Sequence, residues 1–310
     1  MKPMNHWSIQ NGVIVVLLVA LSVLAFPVLA QKAAYPPEMT DAKAEVYRST
    51  DEIDLKAWIF EPPGHSASDK RAAIVFFFGG GWNAGSPGQF RWHAKYLASR
   101  GMIAILADYR VKTRNGTLAN IAVSDAKAAI RWVRTNAVRL GVDPDRIAAA
   151  GGSAGGHLAA ATALLPGHDP DPEQAVSSQP DALVLFNPVL ITAAIPGYTD
   201  EHNAKLQRLA PRLGADPESM SPYHHVRPGL PPTIIFHGKD DKTVSYQSVE
   251  RFTEEMNSAG NRCELVGYED AGHGFFNHGR SDTFYYTDTV RRIDAFLVSL
   301  GWLPEPTLSP

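Results

Sequence analysis

Arg146-Ile147-Ala148-Ala149-Ala150-Gly151-Gly152-Ser153-Ala154-Gly155-Gly156-His157-Leu158-Ala159-Ala160-Ala161 decides how this chain folds. A short apolar run, with the length and content of a buried strand, enters a glycine-rich corner and leaves as a run of helix formers. The corner has the pattern G-x-S-x-G. A serine hydroxyl is a poor nucleophile unless its geometry is forced. A sharp strand-to-helix turn lifts the oxygen above a sheet, and only small neighbours tolerate the close backbone approach it requires. The following helix aims free N–H groups at the same place. Ser153 is the candidate nucleophile. The pentapeptide alone also fits a tight turn that merely needs glycine, so its context has to decide.

Two further segments follow in chain order. Thr233-Ile234-Ile235-Phe236 reads as a strand and runs into His237-Gly238-Lys239-Asp240-Asp241. An acid just past a strand end sits at the carboxyl edge of a parallel sheet, where such sites are built. Cys263 to Tyr268 reads as another strand, followed by Glu269-Asp270-Ala271-Gly272-His273-Gly274. His273 lies between two glycines on a loop. It can take a proton from Ser153 and return it to a leaving alcohol, while a carboxylate holds its tautomer. Asp240 and Asp270 are the competing acids. Asp270 is only three residues from His273, a separation that does not orient the ring.

Upstream, Ala73-Ile74-Val75-Phe76-Phe77-Phe78 reads as a buried strand that ends in Gly79-Gly80-Gly81-Trp82. Backbone N–H groups there can point at an oxyanion, each such donor lowering the barrier by roughly 3 kcal/mol. The expected donors are Gly80 and Gly81 with Ala154 from the serine corner; Trp82 N–H can replace one glycine.

Together these pieces resemble an α/β-hydrolase of the esterase branch, near the acetyl-esterase, hormone-sensitive-lipase-like and BD-FAE-like families. Asp108-Tyr109-Arg110 belongs to the same resemblance, and the spacing used by those families favours Asp241 as the acid. It implies an α/β fold with a mostly parallel central sheet covered by helices on both faces. It also implies a serine esterase that cleaves short acyl esters through a covalent acyl-enzyme and needs no cofactor or metal. Two positions depart from the pattern. Phe78 stands where many relatives have histidine, so the support of the oxyanion loop is missing or replaced. Gly152 stands where the lipase-like branch often has an acid, which points to a less lipase-like branch. Two rivals follow: an amide hydrolase of the prolyl-oligopeptidase-like branch, suggested by Ser221-Pro222 and Pro231-Pro232, and a binding protein on a hydrolase scaffold.

The chain has 310 residues, 45% of them hydrophobic and 20% charged, enough for one large α/β core. A net charge of −3 gives no pull toward nucleic acid. The single Cys263 excludes an intrachain disulfide and, in a predicted strand, reads as a small buried hydrophobe. His168-Asp169-Pro170-Asp171-Pro172-Glu173 lacks calcium-loop spacing and reads as a stiff surface loop. No H-E-x-x-H or dinucleotide-binding pattern is present. Lys2, an apolar run from Val13 to Ala30 and the close Val28-Leu29-Ala30 describe a signal peptide, cleaved before Gln31. An uncleaved anchor is the alternative; cleavage would leave no stable membrane association. The catalytic domain is then 31–310, exported to the periplasm or medium.

Alternation of strands and helices predicts an edge pair over 45–49 and 53–60 and strands at 73–78, 102–107, 147–150, 182–186, 233–236 and 264–268. Helices are expected at 90–99, 119–140, 249–258 and 287–300. Residues 189–230 break the pattern. This insertion, with a helix near 201–213, follows a strand's carboxyl end and should overhang the site. Tyr198, His202, Tyr223 and His224 are candidate pocket residues, as are Trp82 and Asn83 beside the oxyanion loop; each could equally be packing. The short lead-in leaves no room for a two-helix cap, which implies an open cleft. Export and an open cleft suggest a small-molecule or carbohydrate-linked ester as substrate, with acetyl or feruloyl groups attractive.

Overall fold

The alternation places helices of up to seventeen residues and strands of five to eleven where a parallel sheet needs them. The structure, a computed structural model, describes residue 1 and residues 35–173, 175–280 and 283–305. Beyond Met1, the segment read as a signal peptide lies outside the described residues. No helix among the described residues is long and apolar enough to cross a membrane.

Eight strands form one sheet: β1 (Lys43–Ser49), β2 (Asp54–Phe60), β3 (Arg71–Phe77), β4 (Ile103–Ala107), β5 (Val142–Gly152), β6 (Ala182–Phe186), β7 (Thr233–Gly238) and β8 (Cys263–Tyr268). Their order is β1-β2-β4-β3-β5-β6-β7-β8. β1 pairs antiparallel with β2, and β2 antiparallel with β4; every other pairing is parallel. The helices are α1 (Arg91–Ser99), α2 (Lys112–Asn115), α3 (Ala119–Thr135), α4 (Ala154–Leu164), α5 (Asp200–Leu209), α6 (Tyr246–Ser258) and α7 (Thr283–Ser299). This is the expected fold class.

Successive side chains of a strand point to opposite faces. On β3, Ala73, Val75 and Phe77 join one core with residues of α3, α4 and α6, including Ile130, Leu158 and Phe252. Ile74 and Phe76 join a second core with Leu97 of α1 and Ile293, Phe296 and Leu297 of α7. The central strands are buried on both faces, so they read as continuous apolar runs. α4 is buried along its whole length, which is why its sequence has no polar stripe.

Several boundaries move. α3 ends at Thr135, short of the expected residue 140, because Asn136 leaves the helix and its Nδ2 donates to the Trp132 carbonyl at 2.8 Å. β5 starts at Val142, five residues early, where Val142 pairs with Arg71 ahead of a register shift. α6 and α7 begin three and four residues earlier than read. In the insertion α5 stops at Leu209 and continues as a 3-10 turn over Ala210–Arg212, since Pro211 has no N–H to extend the helix. Cys263 is buried as expected.

The acidic loop after α4 is tied down. Asp169 accepts from both terminal nitrogens of Arg131 and from Ser178 Oγ at 3.0 Å. Burial alone would raise its pKa. Arg131, the Asp171 N–H and Ser178 outweigh that and hold it down at about 2, below the ordinary 3.8. A depressed carboxylate stabilises the fold above its unfolded pKa, and the stabilisation is lost as pH falls through the folded value. Asp169→Asn should therefore unfold at lower urea than wild type at pH 7, with the two curves converging between pH 4 and pH 2.

One close approach fixes the sheet–helix geometry. A Cβ on Gly155 would collide with the Phe77 and Phe78 carbonyl oxygens of the β3 end. Gly155→Ala should cost about 3 kcal/mol, a fall of roughly 5–10 °C in the thermal midpoint. Gly272→Ala, where a Cβ meets nothing within 4 Å, should move the midpoint little.

Candidate active site

Ser153 connects β5 to α4 with φ 56° and ψ −119°, a strained conformation for a residue with a side chain. Its N–H donates to the Phe186 carbonyl at 2.9 Å, and its own carbonyl accepts from His157 N–H at 3.0 Å. The backbone is held from both sides while the hydroxyl stays at the mouth of a cleft. Ser153 Oγ lies 3.0 Å from His273 Nε2, and His273 Nδ1 lies 2.7 Å from Asp241 Oδ2.

The hydrogen positions follow from the partners. Asp241 Oδ1 already accepts the N–H groups of Thr243 at 2.8 Å and Val244 at 3.0 Å. Burial would raise the pKa of this carboxyl. Contacts from His237 and His273 and the Val244 N–H overcome burial and hold it far below the ordinary range. An ionised Asp241 can only accept, so His273 Nδ1 donates to it and Nε2 is left as an acceptor for the Ser153 hydroxyl. Of the three candidate acids Asp241 alone touches the ring. Asp240 is exposed beside Lys242, and Asp270 sits at φ 54° in the loop.

Gly79, Gly80, Gly81 and Trp82 line the same cleft as Ser153 and His273, and Ala154 borders a second, smaller cleft that shares Gly81 and Ser153. Gly79 N–H is occupied, donating to Gln89 Oε1 at 2.6 Å. Ala154 opens α4, so its N–H has no partner within the helix. Phe78, where the resemblance leads one to expect histidine, is held by Tyr109. Tyr109 donates its hydroxyl to the Phe78 carbonyl at 2.7 Å, and the Phe78 and Tyr109 rings stack at 4.0 Å.

The remaining candidates divide. Asn83 lines the larger cleft and Tyr198 and His202 the smaller one. The Trp82 ring is only 2% exposed and packs edge-on against His157, so it belongs to the core beneath the glycine loop. Tyr223 and His224 sit in a 3-10 segment, where His224 Nδ1 meets Ser221 Oγ at 2.8 Å and Tyr223 packs on the core. His157 is buried, with Nε2 2.8 Å from the Met220 carbonyl, and burial pushes its pKa down to about 4.

Three supporting residues, Gln89, Asn277 and Asn187, carry no mark in the sequence, and a fourth, His237, acts beyond the strand end it was expected to cap. Gln89 joins the two sides of the cleft, since its Nε2 donates to Asn277 Oδ1 at 3.0 Å. Asn187 accepts from Gly274 N–H at 3.0 Å and so anchors the loop that carries His273. His237 lies 3.3 Å from Asp241 and donates Nε2–H to the Val244 carbonyl at 3.0 Å. Polar residues one to ten positions from a motif carry no periodicity that would reveal such contacts. His237 stands four positions before Asp241, and that motif is the one signal the sequence offers for these contacts.

A serine on a left-handed turn at the carboxyl edge of a parallel sheet, with its histidine on the loop after the last strand, is the arrangement of the α/β-hydrolase class. The comparisons narrow the class to serine esterases. The BD-FAE family model matches residues 59–256, and the chain belongs to that family. It is 31% identical to the probable carboxylic ester hydrolase LipM of Mycobacterium tuberculosis, over 57% of this chain and 43% of that protein's length. With carboxylesterase NlhH of the same organism it shares 27% identity over 72% of each. Apo Thermogutta terrifontis esterase 2 is 51% identical and superimposes with a TM-score of 0.83, covering 88% of this chain and all of that one. The same esterase is also known with butyrate bound, at 50% identity and a TM-score of 0.83 over 89% of this chain.

Tyr109→Phe should leave the buried Phe78 carbonyl unsatisfied. The expected cost is about 1–3 kcal/mol in stability. Ester turnover should fall in kcat more than in KM, because the loop beside Ser153 loses its support. Chemical unfolding and steady-state kinetics check both.

Proposed function

We propose that this chain is a carboxylesterase for short acyl esters and that Ser153, His273 and Asp241 are its catalytic triad. The observation that carries this reading is the unbroken chain of contacts from Ser153 Oγ through both His273 nitrogens to Asp241. As Ser153 Oγ forms a bond to the acyl carbon, its proton passes to His273 Nε2 and the carbonyl electrons move to oxygen. Gly80, Gly81 and Ala154 N–H groups receive that oxyanion. The imidazolium then gives its proton to the leaving alcohol oxygen as the ester C–O bond breaks. Water, deprotonated by the same nitrogen, cleaves the acyl-enzyme and restores Ser153.

The names of the relatives support esterase over amidase chemistry. Butyrate and propionate complexes of Thermogutta terrifontis esterase 2 support a short acyl group. Here the smaller cleft, of about 280 Å³, would take it between Val189, Ile191, Tyr198 and Leu206. The larger cleft, of about 720 Å³ with polar walls, would take the alcohol. A sugar fits its size and polarity, so acetyl or feruloyl esters of carbohydrate are the proposed substrates. The basic start and apolar run of residues 2–30 support an exported enzyme.

Hydrolysis of p-nitrophenyl acetate tests the assignment. Wild type should turn over, Ser153→Ala should fall by several orders of magnitude, and Asp241→Asn by roughly 10⁴ through loss of the correct tautomer. A fluorophosphonate should label wild type at Ser153 and leave Ser153→Ala unmodified. Equal, slow rates in all three proteins would reject the triad.

A further inference from the structure

The larger cleft is cationic. Lys112, Arg212 and Arg280 line it together with the catalytic side chains, and among the described residues no carboxylate does. The chain as a whole carries a net −3, so the asymmetry is local. Many other arginines are ion-paired, among them Arg100 with Asp294, Arg110 with Asp125, Arg134 with Asp181 and Arg139 with Glu45. Arg212 differs. It follows Pro211 in the 3-10 turn that ends α5, and one terminal nitrogen lies 3.3 Å from the position a Cβ on Gly81 would occupy. Its guanidinium therefore stands over the glycine loop. Among the described residues it makes no ion pair, and neither does Lys112. Two unneutralised cations facing one reaction cleft create a field that an anion entering the cleft would relieve.

Proton transfer says which part of the substrate meets them. His273 must protonate the leaving oxygen, so the alcohol lies on the His273 side. That side is the cleft holding Lys112, with Arg212 on the border it shares with the smaller cleft; the smaller cleft beside Ala154, lined by Val189, Ile191 and Leu206 as well as Lys205 and Arg208, is left for the acyl chain. Resting on the esterase reading above, we infer that the leaving-group subsite selects an alcohol bearing a carboxylate, as an acylated sugar acid does. Arg212 supplies a planar fork for the carboxylate and Lys112 a second point charge. The recognised group is remote from the ester, so it orients the substrate without entering the chemistry.

Matched aryl esters test this on the full chain. 4-Acetoxybenzoate and 4-acetoxybenzamide share an acyl group, a ring and a substitution position, and differ in one charge. After normalising to hydroxide-catalysed rates, wild type should favour the carboxylate in kcat/KM by about tenfold, the size expected of two solvent-exposed charge contacts. The preference should shrink in 0.5 M salt. The double variant Lys112→Gln/Arg212→Gln should lose it, and Arg212→Lys should keep part of it. A disturbed fold would slow both esters alike and leave the ratio standing, so the ratio is the readout. Equal normalised rates in wild type, or a preference that survives the double variant, overturn the inference while leaving the esterase reading intact. Failure to hydrolyse either ester overturns both.

Discussion

The tightest glycine approach among the described residues is the contact between Gly155 at the start of α4 and the carbonyl groups of Phe77 and Phe78 at the end of β3. It lets a helix begin almost on top of a neighbouring strand. That proximity forces Ser153 into its left-handed turn and brings the β5 corner beside the glycine loop. Strain at Ser153 is tolerable because the surrounding structure over-determines it: the Phe186 carbonyl, the His157 N–H and a fully buried α4 all hold the same few atoms. The positions of Ser153 and of the glycine loop are therefore set by backbone packing, which side-chain fluctuations disturb little.

The second half of the site is held differently. His273 rides on a loop, and its placement depends on polar side chains: Asn187 on the Gly274 N–H, Asp241 on the ring, and His237 and two backbone N–H groups on Asp241. Each of these groups is buried or partly buried, so each would be costly without its partner. The network makes the carboxylate a strong acceptor and fixes one tautomer of the histidine. Preorganisation on this side is electrostatic, where on the serine side it is steric.

Much of this was legible in the residues. The strand–corner–helix run at 146–161 has one good folding solution, and the strands at 73–77, 182–186 and 233–238 are apolar on both faces because helices cover both. Boundaries were less legible wherever a single side chain decides them, as Asn136 does for α3 and Pro211 for α5. The cross-links of the site were opaque. Gln89 and Asn277 lie 188 residues apart, and nothing in either segment announces the other. Phe78 departs from the resembling families, which leaves the support of the loop either missing or replaced. In the fold the Phe78 carbonyl is held by the Tyr109 hydroxyl, thirty-one positions on.

The Gln89–Asn277 link has a consequence for synthesis. Gly79 gives its N–H to Gln89, and Gln89 is oriented by Asn277, so the first and last parts of the site are completed together. On the ribosome, a chain that has emerged through β6 already carries the serine, the glycine loop and most of the sheet. It still lacks both the base and the amide that steadies the loop. Hydrolytic competence should switch on abruptly, when the segment beyond residue 277 emerges. An incomplete product released in the cell would fold some of its core and remain inert toward the esters around it.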